Sequence, residues 1–348
     1  MTKKIVYIGD VILMSDENSE YPRRDQMEPT NNEVHHRHHH HRHHRRHRGW
    51  RIFWSVVGTL VLIAIFFGGV AWHNLKSTTG NMYNSAGITK SRDANKVLAQ
   101  KKPVSILLLG TDTGALGRDY KGRTDTMMIM TLNPQKKTTT IVSLPRDMKV
   151  NLPDYPDDSP SKINAAYTYG GVKESVKTVQ KHFNIPIDYY VLVNMGGLEK
   201  AINQVGGVDV KSPLTFDYEG AHFTKGQTYH LNGSNALKFS RMRYDDPQGD
   251  YGRQQRQRLV ITALLKKSIS YKTVLNQRFL RTISDSSQTD LTFNNMVTLA
   301  RNYRSSNANV VQDHAQGHGA EEDGQDYEIV PTSEQQRVAN LLQNSLKN

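Results

Sequence analysis

Four charged side chains lie at the ends of apolar runs in the first half of the chain: Asp112, Arg123, Asp125 and Arg146. Each run is short and rich in aliphatic or β-branched residues, which is typical of a buried strand. Because Arg123 and Asp125 are two positions apart, they point to the same side of an extended chain. Carboxylates beside guanidinium groups can bind a divalent cation together with a phosphate-like anion. Such a combined cation and phosphate site is the first functional hypothesis.

A second polar group follows further along the chain. Arg241 and Arg243 share a side if the chain is extended there. Arg253, Arg256 and Gln257 are three and four positions apart, so they share a face if the chain is helical. Any one of these arginines alone is more simply explained as part of a solvated surface. Together with the first group they predict an anion clamp, because the guanidinium group binds phosphate oxygens through two parallel hydrogen bonds.

Several other kinds of chemistry have no motif in this sequence. There is no cysteine, and there is no G-x-S-x-G, H-E-x-x-H or P-loop motif. Ser143 precedes the polar residues Arg146 and Asp147, but neither polar group contains a histidine that could activate it, so we interpret Ser143 as a strand residue. A cation and arginines acting on a phosphate are sufficient for phosphoryl transfer.

The elements that position these residues follow from the apolar pattern. Strands are predicted over 104–109, 126–132, 138–144 and 188–195, and helices over 172–183, 197–205, 259–269 and 291–303. Residues 314–326, rich in Gly and acidic residues, are predicted to be a loop. Strands that alternate with helices, with one antiparallel hairpin included, predict an α/β sandwich around a mixed sheet.

Residues 52–72 carry no charge and predict a transmembrane helix. A helix of 21 residues is about 31 Å long, close to the roughly 30 Å of a bilayer core. A cleaved signal peptide is less consistent, because the run is long and no A-x-A-like site follows. Arginines precede the run, so the N-terminus is predicted to be cytoplasmic and the rest extracellular.

The domain prediction has four parts: a disordered cytoplasmic tail 1–49, a transmembrane helix 50–72, an extracellular stalk 73–100 and a domain 101–348 with its motifs in 104–260. Met14 is a second candidate start of translation. Residues 35–48 are only His and Arg, which suits a basic flank that sets membrane orientation; metal sequestration or pH-sensitive lipid binding is the alternative. The formal charge of +12 suggests an anionic partner. Much of that charge lies in the cytoplasmic tail, and the predicted extracellular position of the folded part counts against a nucleic-acid partner.

Eight short motifs occur in order between residues 107 and 257. They are LLLGTDT (107–113), GRTDTMM (122–128), SLPRDMKV (143–150), KINAAYTYGG (162–171), IPIDYYVLVNMGGL (185–198), VGGVDV (205–210), LNGSNALKFSRMR (231–243) and DYGRQQRQ (250–257). With the preceding membrane helix, this series resembles the LytR-CpsA-Psr family of bacterial envelope proteins. The resemblance implies an α/β/α domain whose core and facing helices hold a polyprenyl chain, with pyrophosphate at the pocket mouth.

The same resemblance implies a Gram-positive ligase that attaches anionic glycopolymers, such as wall teichoic acid or capsule, to peptidoglycan. It implies Mg²⁺ bound by Asp112 and Asp125, with Arg123 and Arg146 completing the catalytic group. The implied pyrophosphate-binding residues are Arg123, Arg146, Arg241, Arg243, Arg253 and Gln257. Many members carry an arginine shortly after the first Asp, where this chain has Thr113 and Gly114; Arg118 is a candidate for that place.

The predicted reaction is attack by a peptidoglycan sugar hydroxyl on the phosphorus next to the glycopolymer, with polyprenyl phosphate as the leaving group. Three alternatives stay open on the sequence. A membrane-bound transcriptional attenuator would need a folded cytoplasmic module, which the low-complexity tail does not offer. A pyrophosphatase would use water as the acceptor. A lipid-binding scaffold would not require Asp112 or Asp125.

Overall fold

The computed structural model describes residues 46–111, 122–268, 276–284 and 286–348. Predictions for Asp112, for Arg118 and for most of the His- and Arg-rich tail lie outside the described residues. The first described element is helix α1, Arg46–Gly80. Its stretch Val57–Ser77 is 21 residues long with a mean hydropathy of 1.6, so it is long and apolar enough to cross a bilayer. It lies slightly further along the chain than the predicted 50–72.

Strands and helices alternate through the rest of the described chain. The strands are β1 Val104–Thr111, β2 Thr124–Asn133, β3 Thr138–Leu144, β4 Lys149–Val150, β5 Ser161–Lys162, β6 Tyr189–Asn194, β7 Val208–Lys211, β8 Phe216–Tyr218, β9 Ala221–Phe223, β10 Thr228–Leu231, β11 Ser287–Thr289, β12 Asn309–His314, β13 His318–Glu322 and β14 Gln325–Ile329. The helices after α1 are α2 Ala94–Ala99, α3 Ala165–Phe183, α4 Met195–Gln204, α5 Gly233–Arg241, α6 Asp250–Ser268, α7 Gln277–Ser284, α8 Phe293–Asn302 and α9 Thr332–Ser345.

The central sheet has six strands in the order β11-β6-β1-β2-β3-β12. β1 runs parallel to β6 and antiparallel to β2, and β12 runs parallel to β3, so the sheet is mixed. This confirms the predicted α/β class with an antiparallel hairpin at its centre. The Asn133–Thr138 pair at the end of the β2–β3 ladder closes that hairpin.

Side chains of the central strands alternate between two layers of helices. Leu107 and Leu109 of β1 belong to the cluster packed by α3 and α9, whereas Ile106 and Leu108 belong to the cluster packed by α2, α6 and α8. The period of two in a strand places neighbours on opposite faces. The result is the predicted α/β/α sandwich. We call the α3 and α9 side the packed face and the α6 and α8 side the cavity face.

A smaller lobe is built from α4, α5 and the short strands β7 to β10. Phe216, Phe223 and Phe239 form its buried centre, with ring centroids 4.9 to 5.9 Å apart. Val260 of α6 belongs to the same cluster. This contact ties the lobe to the helix that also covers the cavity face.

Residues 82–100, predicted to be part of a stalk, pack on the domain. The fully buried Asp188 carboxylate accepts from Arg92 Nε at 2.7 Å and from the Ser105 backbone N–H at 2.8 Å. Lys90 Nζ lies 2.8 Å from Asp290 Oδ2. Burying Asp188 is tolerated because it is paired and hydrogen-bonded. These ion pairs therefore join residues 82–100 to residues that are distant in the chain.

Two local predictions are wrong. Residues 314–326 are not a loop, because β13 and β14 form an antiparallel hairpin whose turn, at Asp323 and Gly324, has positive φ angles. Arg241 is not on an extended chain, because it is the last residue of helix α5, with Met242 as the C-cap. Helix α3 begins earlier than the predicted 172 and is kinked at Gly171, where φ is +68°.

Candidate functional site

The first polar group meets at one edge of the central sheet. β2 begins at Thr124 and β3 ends at Leu144, and their antiparallel register, with Met127 opposite Leu144, brings these two ends together. Arg146 Nη1 donates to Asp125 Oδ1 at 2.6 Å. Both side chains are half-buried, with 22% and 28% of their surfaces exposed. The sheet therefore places a guanidinium and a carboxylate side by side at its rim.

Further ionic contacts extend this rim. Arg146 Nε donates to Asp147 Oδ2 at 3.4 Å, and Lys162 Nζ lies 3.3 Å from Asp147 Oδ1. The backbone holds this arrangement, since the Asn164 N–H donates to the Arg146 carbonyl at 3.2 Å. The loop after β3 is thereby fixed to the start of α3.

The first turns of α6 supply the second part of the rim. Arg253 Nη2 lies 2.5 Å from Asp250 Oδ1, and the Arg253 side chain is only 11% exposed. Arg253 Nε is buried and has no hydrogen-bond partner among the described residues. A buried cationic donor without a partner is costly unless a ligand pairs with it. This atom is the clearest structural indication of an anion site.

The charges after β3 and those at the start of α6 are close enough to shift each other's pKa values. Burial is the main cause that lowers the pKa of Arg253, and the charges of Arg146 and Arg243 add to this lowering. Burial opposes the charged form of Arg146 as well, but the carboxylates of Asp147 and Asp125 outweigh it and raise the Arg146 pKa. Several cations thus share a small region in which an anion would relieve their mutual repulsion.

The remaining predicted residues occupy different positions around the rim. Arg123 is exposed just before β2. Arg243 is half-buried, with its guanidinium carbon 5.8 Å from the centre of the Tyr244 ring. Arg241 lies near Tyr218, where it opposes the rise that burial causes in the pKa of the Tyr218 hydroxyl. The structure therefore brings together Asp125, Arg146, Arg243 and Arg253, and their role in binding is a proposal taken up below.

Arg256 does not join the rim, although it was predicted to share a helical face with Arg253 and Gln257. Its side chain is completely buried, Nε donates to the Phe239 carbonyl at 2.9 Å, and its other nitrogens bind the Met242 carbonyl and the Asp246 carboxylate. It therefore holds the segment between α5 and α6 in place. Its spacing from Arg253 in the sequence could not predict this, because the carbonyl groups that bind Arg256 belong to another part of the chain.

An apolar cavity of about 350 Å³ opens on the cavity face of the sheet. Its walls come from β1, β2, β6, α4, α6 and α8, and they are almost wholly aliphatic; Leu108, Met128, Val260 and Met296 are representative. Gln257 is one of the few polar lining residues. It lies one helical turn after Arg253 on α6, so the cavity and the charged rim are adjacent.

Two residues of the rim had not been selected from the sequence. Lys162 reaches Asp147 because β4 and β5 pair, with Lys149 opposite Lys162. Strands of only two residues are too short to be predicted from a hydrophobic pattern. Asp250 is three positions before Arg253, which is the spacing of a helical ion pair, so it could have been found.

The sequence profile of the LytR_cpsA_psr family matches residues 69–344. The chain is 41% identical over 296 residues to an Enterococcus faecalis (strain ATCC 700802 / V583) protein named polyisoprenyl-teichoic acid–peptidoglycan teichoic acid transferase TagU, covering 85% of this chain and 96% of that protein. The crystal structure of B. subtilis TagV superposes with a TM-score of 0.61 at 33% identity, covering 71% of this chain and 98% of that one. A structure described as TagT bound to LIIa-WTA superposes with a TM-score of 0.60 at 28% identity, covering 75% and 95%. This chain therefore belongs to the LytR-CpsA-Psr family.

Proposed function

We propose that this protein is a membrane-anchored phosphotransferase that attaches a polyprenyl-pyrophosphate-linked anionic glycopolymer of the teichoic acid class to peptidoglycan. The relatives named as teichoic acid transferases support this activity. The observation that carries it in this chain is the apolar cavity directly beside a rim of arginines and carboxylates. A polyprenyl pyrophosphate has the same division into a long apolar chain and a compact anionic head.

The cavity suits the lipid part of such a donor. Its lining offers almost no hydrogen-bonding groups, so it favours hydrocarbon over water. Each methylene moved from water into an apolar site stabilises binding by about 0.8 kcal/mol. Gln257, at the junction of cavity and rim, marks where the isoprenoid chain would meet the first phosphate.

The rim suits the pyrophosphate. Arg146 and Arg253 present guanidinium groups that are partly shielded from water, where an ionic hydrogen bond is stronger than in bulk solvent. Arg123, Arg241 and Arg243 surround them as further phosphate-binding candidates. These groups are held before the donor arrives, so they can stabilise the charge that develops on the transferring phosphoryl group.

The reaction then proceeds as follows. A peptidoglycan sugar hydroxyl attacks the phosphorus next to the glycopolymer, a new P–O bond forms, and the bridging P–O bond to polyprenyl phosphate breaks. The hydroxyl proton passes to a carboxylate; Asp125, Asp147 and Asp250 are the described rim carboxylates that could accept it. Polyprenyl phosphate leaves, with its charge stabilised by the arginines.

The rim also fits a magnesium ion. Mg²⁺ is usually held by one or two carboxylates together with water and phosphate oxygens, and Asp125 is a half-exposed carboxylate at the rim. Among the described residues, no group of three or more His, Asp or Glu side chains could hold a metal alone, so the donor phosphates would complete the site. Asp125 with Asp112 would be the ligands, and the bound ion would neutralise pyrophosphate charge. Calorimetric titration of Mg²⁺ with the donor should show binding that Asp125→Asn removes.

The orientation follows from the arginines that precede the apolar stretch of α1. The domain after this helix would be extracellular, on the same side as peptidoglycan. The chain has no cysteine, so a single Ser333→Cys on the exposed start of α9 gives a clean probe. A membrane-impermeant maleimide should label it in intact cells; labelling only after lysis would contradict this orientation.

A reconstituted transfer assay tests the proposal. The full chain in detergent, Mg²⁺, a polyprenyl-pyrophosphate glycopolymer and peptidoglycan oligomers should yield a covalent polymer–peptidoglycan adduct. Arg146→Ala should lower the rate at least about a hundredfold, because it removes a charge-stabilising donor. Lys173→Ala, an exposed lysine elsewhere on α3, is the control. Inorganic phosphate or released polymer without an adduct would favour a pyrophosphatase instead.

A further inference from the structure

A second cavity, of about 430 Å³, lies away from the apolar one and has a different chemistry. Lys149 and Asn151 line one wall, and Thr178, Lys181 and His182 of α3 line the other. The three α3 residues are three and four positions apart, so they share one helical face. Val150, between the two residues of the first wall, is buried in the core, which fixes the position of this wall.

Two residues that line this cavity carry a buried polar atom without a partner among the described residues. Thr178 is 1% exposed, and its Oγ1 has no hydrogen-bond partner among the described residues. His182 Nε2 is also buried without a partner there. Buried polar groups are normally hydrogen-bonded because desolvating them without compensation is costly. Two such atoms on residues that line one cavity favour a polar ligand over an apolar one.

The charge of the cavity selects the kind of ligand. Its lining includes two lysines and no carboxylate. Lys149 is paired with Glu322, whereas Lys181 is exposed. Burial lowers the pKa of His182, so its imidazole is neutral at neutral pH and can exchange a hydrogen bond with a hydroxyl. The Lys181 ammonium can bind a phosphate oxygen. The neighbouring hydroxyl, amide and imidazole groups can bind alcohol groups. Together they suit a polyol phosphate.

This cavity connects to the rim through the short β4–β5 ribbon. Lys162 contacts Asp147 of the rim at 3.3 Å, and Lys149 lies directly opposite Lys162 in the antiparallel register. Directly opposed residues lie on the same side of a ribbon. A row of two ammonium groups therefore leads from the rim towards the second cavity.

We infer that this cavity is a subsite for a phosphodiester-linked polyol segment of the donor polymer, outside the reacting pyrophosphate. The inference rests on the proposed function for the identity of the donor. It implies that the domain recognises polymer length as well as the lipid-linked head. Lys181 would bind a backbone phosphate, and Thr178, His182 and Asn151 would bind neighbouring hydroxyl groups.

The test compares two donors that carry the same polyprenyl pyrophosphate. One carries a long polyol-phosphate polymer and the other only its first unit. For the long donor, Lys181→Ala combined with Thr178→Val should raise KM about tenfold, the effect of losing one hydrogen bond to a charged group. For the single-unit donor, KM and kcat should stay within about twofold of wild type. Lys173→Ala on the same helix should leave KM unchanged for both donors.

Three outcomes would overturn the inference. An equal rise in KM for both donors would mean that the double variant acts through the rim or the fold. An unchanged KM for the long donor would mean that the cavity does not bind polymer. A change in KM for peptidoglycan would assign the cavity to the acceptor.

A binding titration separates this inference from the proposed function. A free oligomer of glycerol phosphate, without lipid or pyrophosphate, is titrated into the full chain in detergent. Binding that the double variant loses would support the subsite even if wild-type protein transferred neither donor. Binding that the double variant retains would contradict it.

Discussion

Leu107 and Leu108 are neighbours in β1 and point to opposite faces of the same sheet, yet their surroundings differ. Leu107, with 0% of its surface exposed, is packed among side chains of α3 and α9. Leu108 lines a cavity of about 350 Å³. Protein interiors are normally close-packed, so a large apolar void beside an ordinary core is costly to keep. The contrast indicates that the packed face serves stability and that the cavity face is shaped for a ligand.

The same division recurs along helix α6, between residues one turn apart. Arg256 is wholly buried and bonded to carbonyl groups of its own chain, whereas Arg253 keeps a buried donor atom without a partner. One arginine is satisfied by the fold, and the other keeps a donor atom for the proposed anion. Both comparisons can be tested by paired substitutions.

The largest effect on stability is expected at Arg256. Arg256→Ala leaves the Asp246 carboxylate and two backbone carbonyls without their partner, so the free energy of unfolding should fall by about 3–5 kcal/mol. Arg253→Ala should change it by less than about 1 kcal/mol, because the cost of burying Arg253 offsets its ion pair. Urea denaturation measures both. Equal losses would remove the distinction between the two arginines.

Truncation of the two leucines comes next. Leu107→Ala should lower the free energy of unfolding by about 2–5 kcal/mol, because it opens a void in a closed core. Leu108→Ala should cost less than about 2 kcal/mol, since one side of Leu108 already lacks contacting atoms. The comparison is made on the same urea denaturation curves. A larger loss at Leu108 would mean that the cavity face is as tightly packed as the other face.

Enlarging the same leucines should separate stability from binding. Leu108→Trp projects into the cavity, so it should weaken binding of polyprenyl pyrophosphate at least about tenfold while the free energy of unfolding stays within about 1 kcal/mol. Leu107→Trp overpacks a full core and should cost about 1–3 kcal/mol. Ligand binding is measured by the rise in melting temperature that the donor causes. Normal donor binding by Leu108→Trp would argue against a lipid in this cavity.

The smallest effect concerns the packed face at low pH. Arg337 of α9 lowers the pKa of Glu334, and it lowers that of Asp313 although burial there acts in the opposite direction. A carboxyl whose pKa is lower in the folded state stabilises the protein above its unfolded pKa, and this contribution is lost as pH falls through the folded value. Arg337→Met should therefore reduce stability by less than about 1 kcal/mol at pH 7, since Arg337 is 46% exposed. The difference from wild type should shrink as pH falls below the ordinary carboxyl range of about 4 and through the lowered folded pKa values; a difference that stays constant across that range would point to packing.

The central strands and the rim could be predicted because local patterns encode them. The run 138–144 and β3 coincide, and Asp125 at the start of β2 does meet Arg146 after β3. The residues alone did not predict the cavity. Leu107 and Leu108 look alike in the sequence, and only the positions of the facing helices decide which of them is enclosed. A cavity was expected solely through the family resemblance.

Other features depended on partners that are distant in the chain. Arg256 turns inwards because it donates hydrogen bonds to the backbone carbonyls of Phe239 and Met242. The positions of backbone carbonyls cannot be read from the pattern of residue types. The β13–β14 hairpin was missed because its Gly and acidic residues are typical of loops. Residues 82–100 pack on the domain through Asp188, whose burial is evident only when the chain is folded.

Photoaffinity labelling tests most directly whether the cavity and rim together hold a lipid-linked pyrophosphate. The full chain is irradiated with a polyprenyl pyrophosphate whose isoprenoid chain carries a diazirine, and the labelled peptides are sequenced by mass spectrometry. The structure predicts adducts in the peptides that contain Leu108, Met128 and Val260, at wild-type level in Lys173→Ala and strongly reduced in Leu108→Trp and Arg146→Ala. Adducts confined to α1, or labelling that neither of these two variants reduces, would contradict the account.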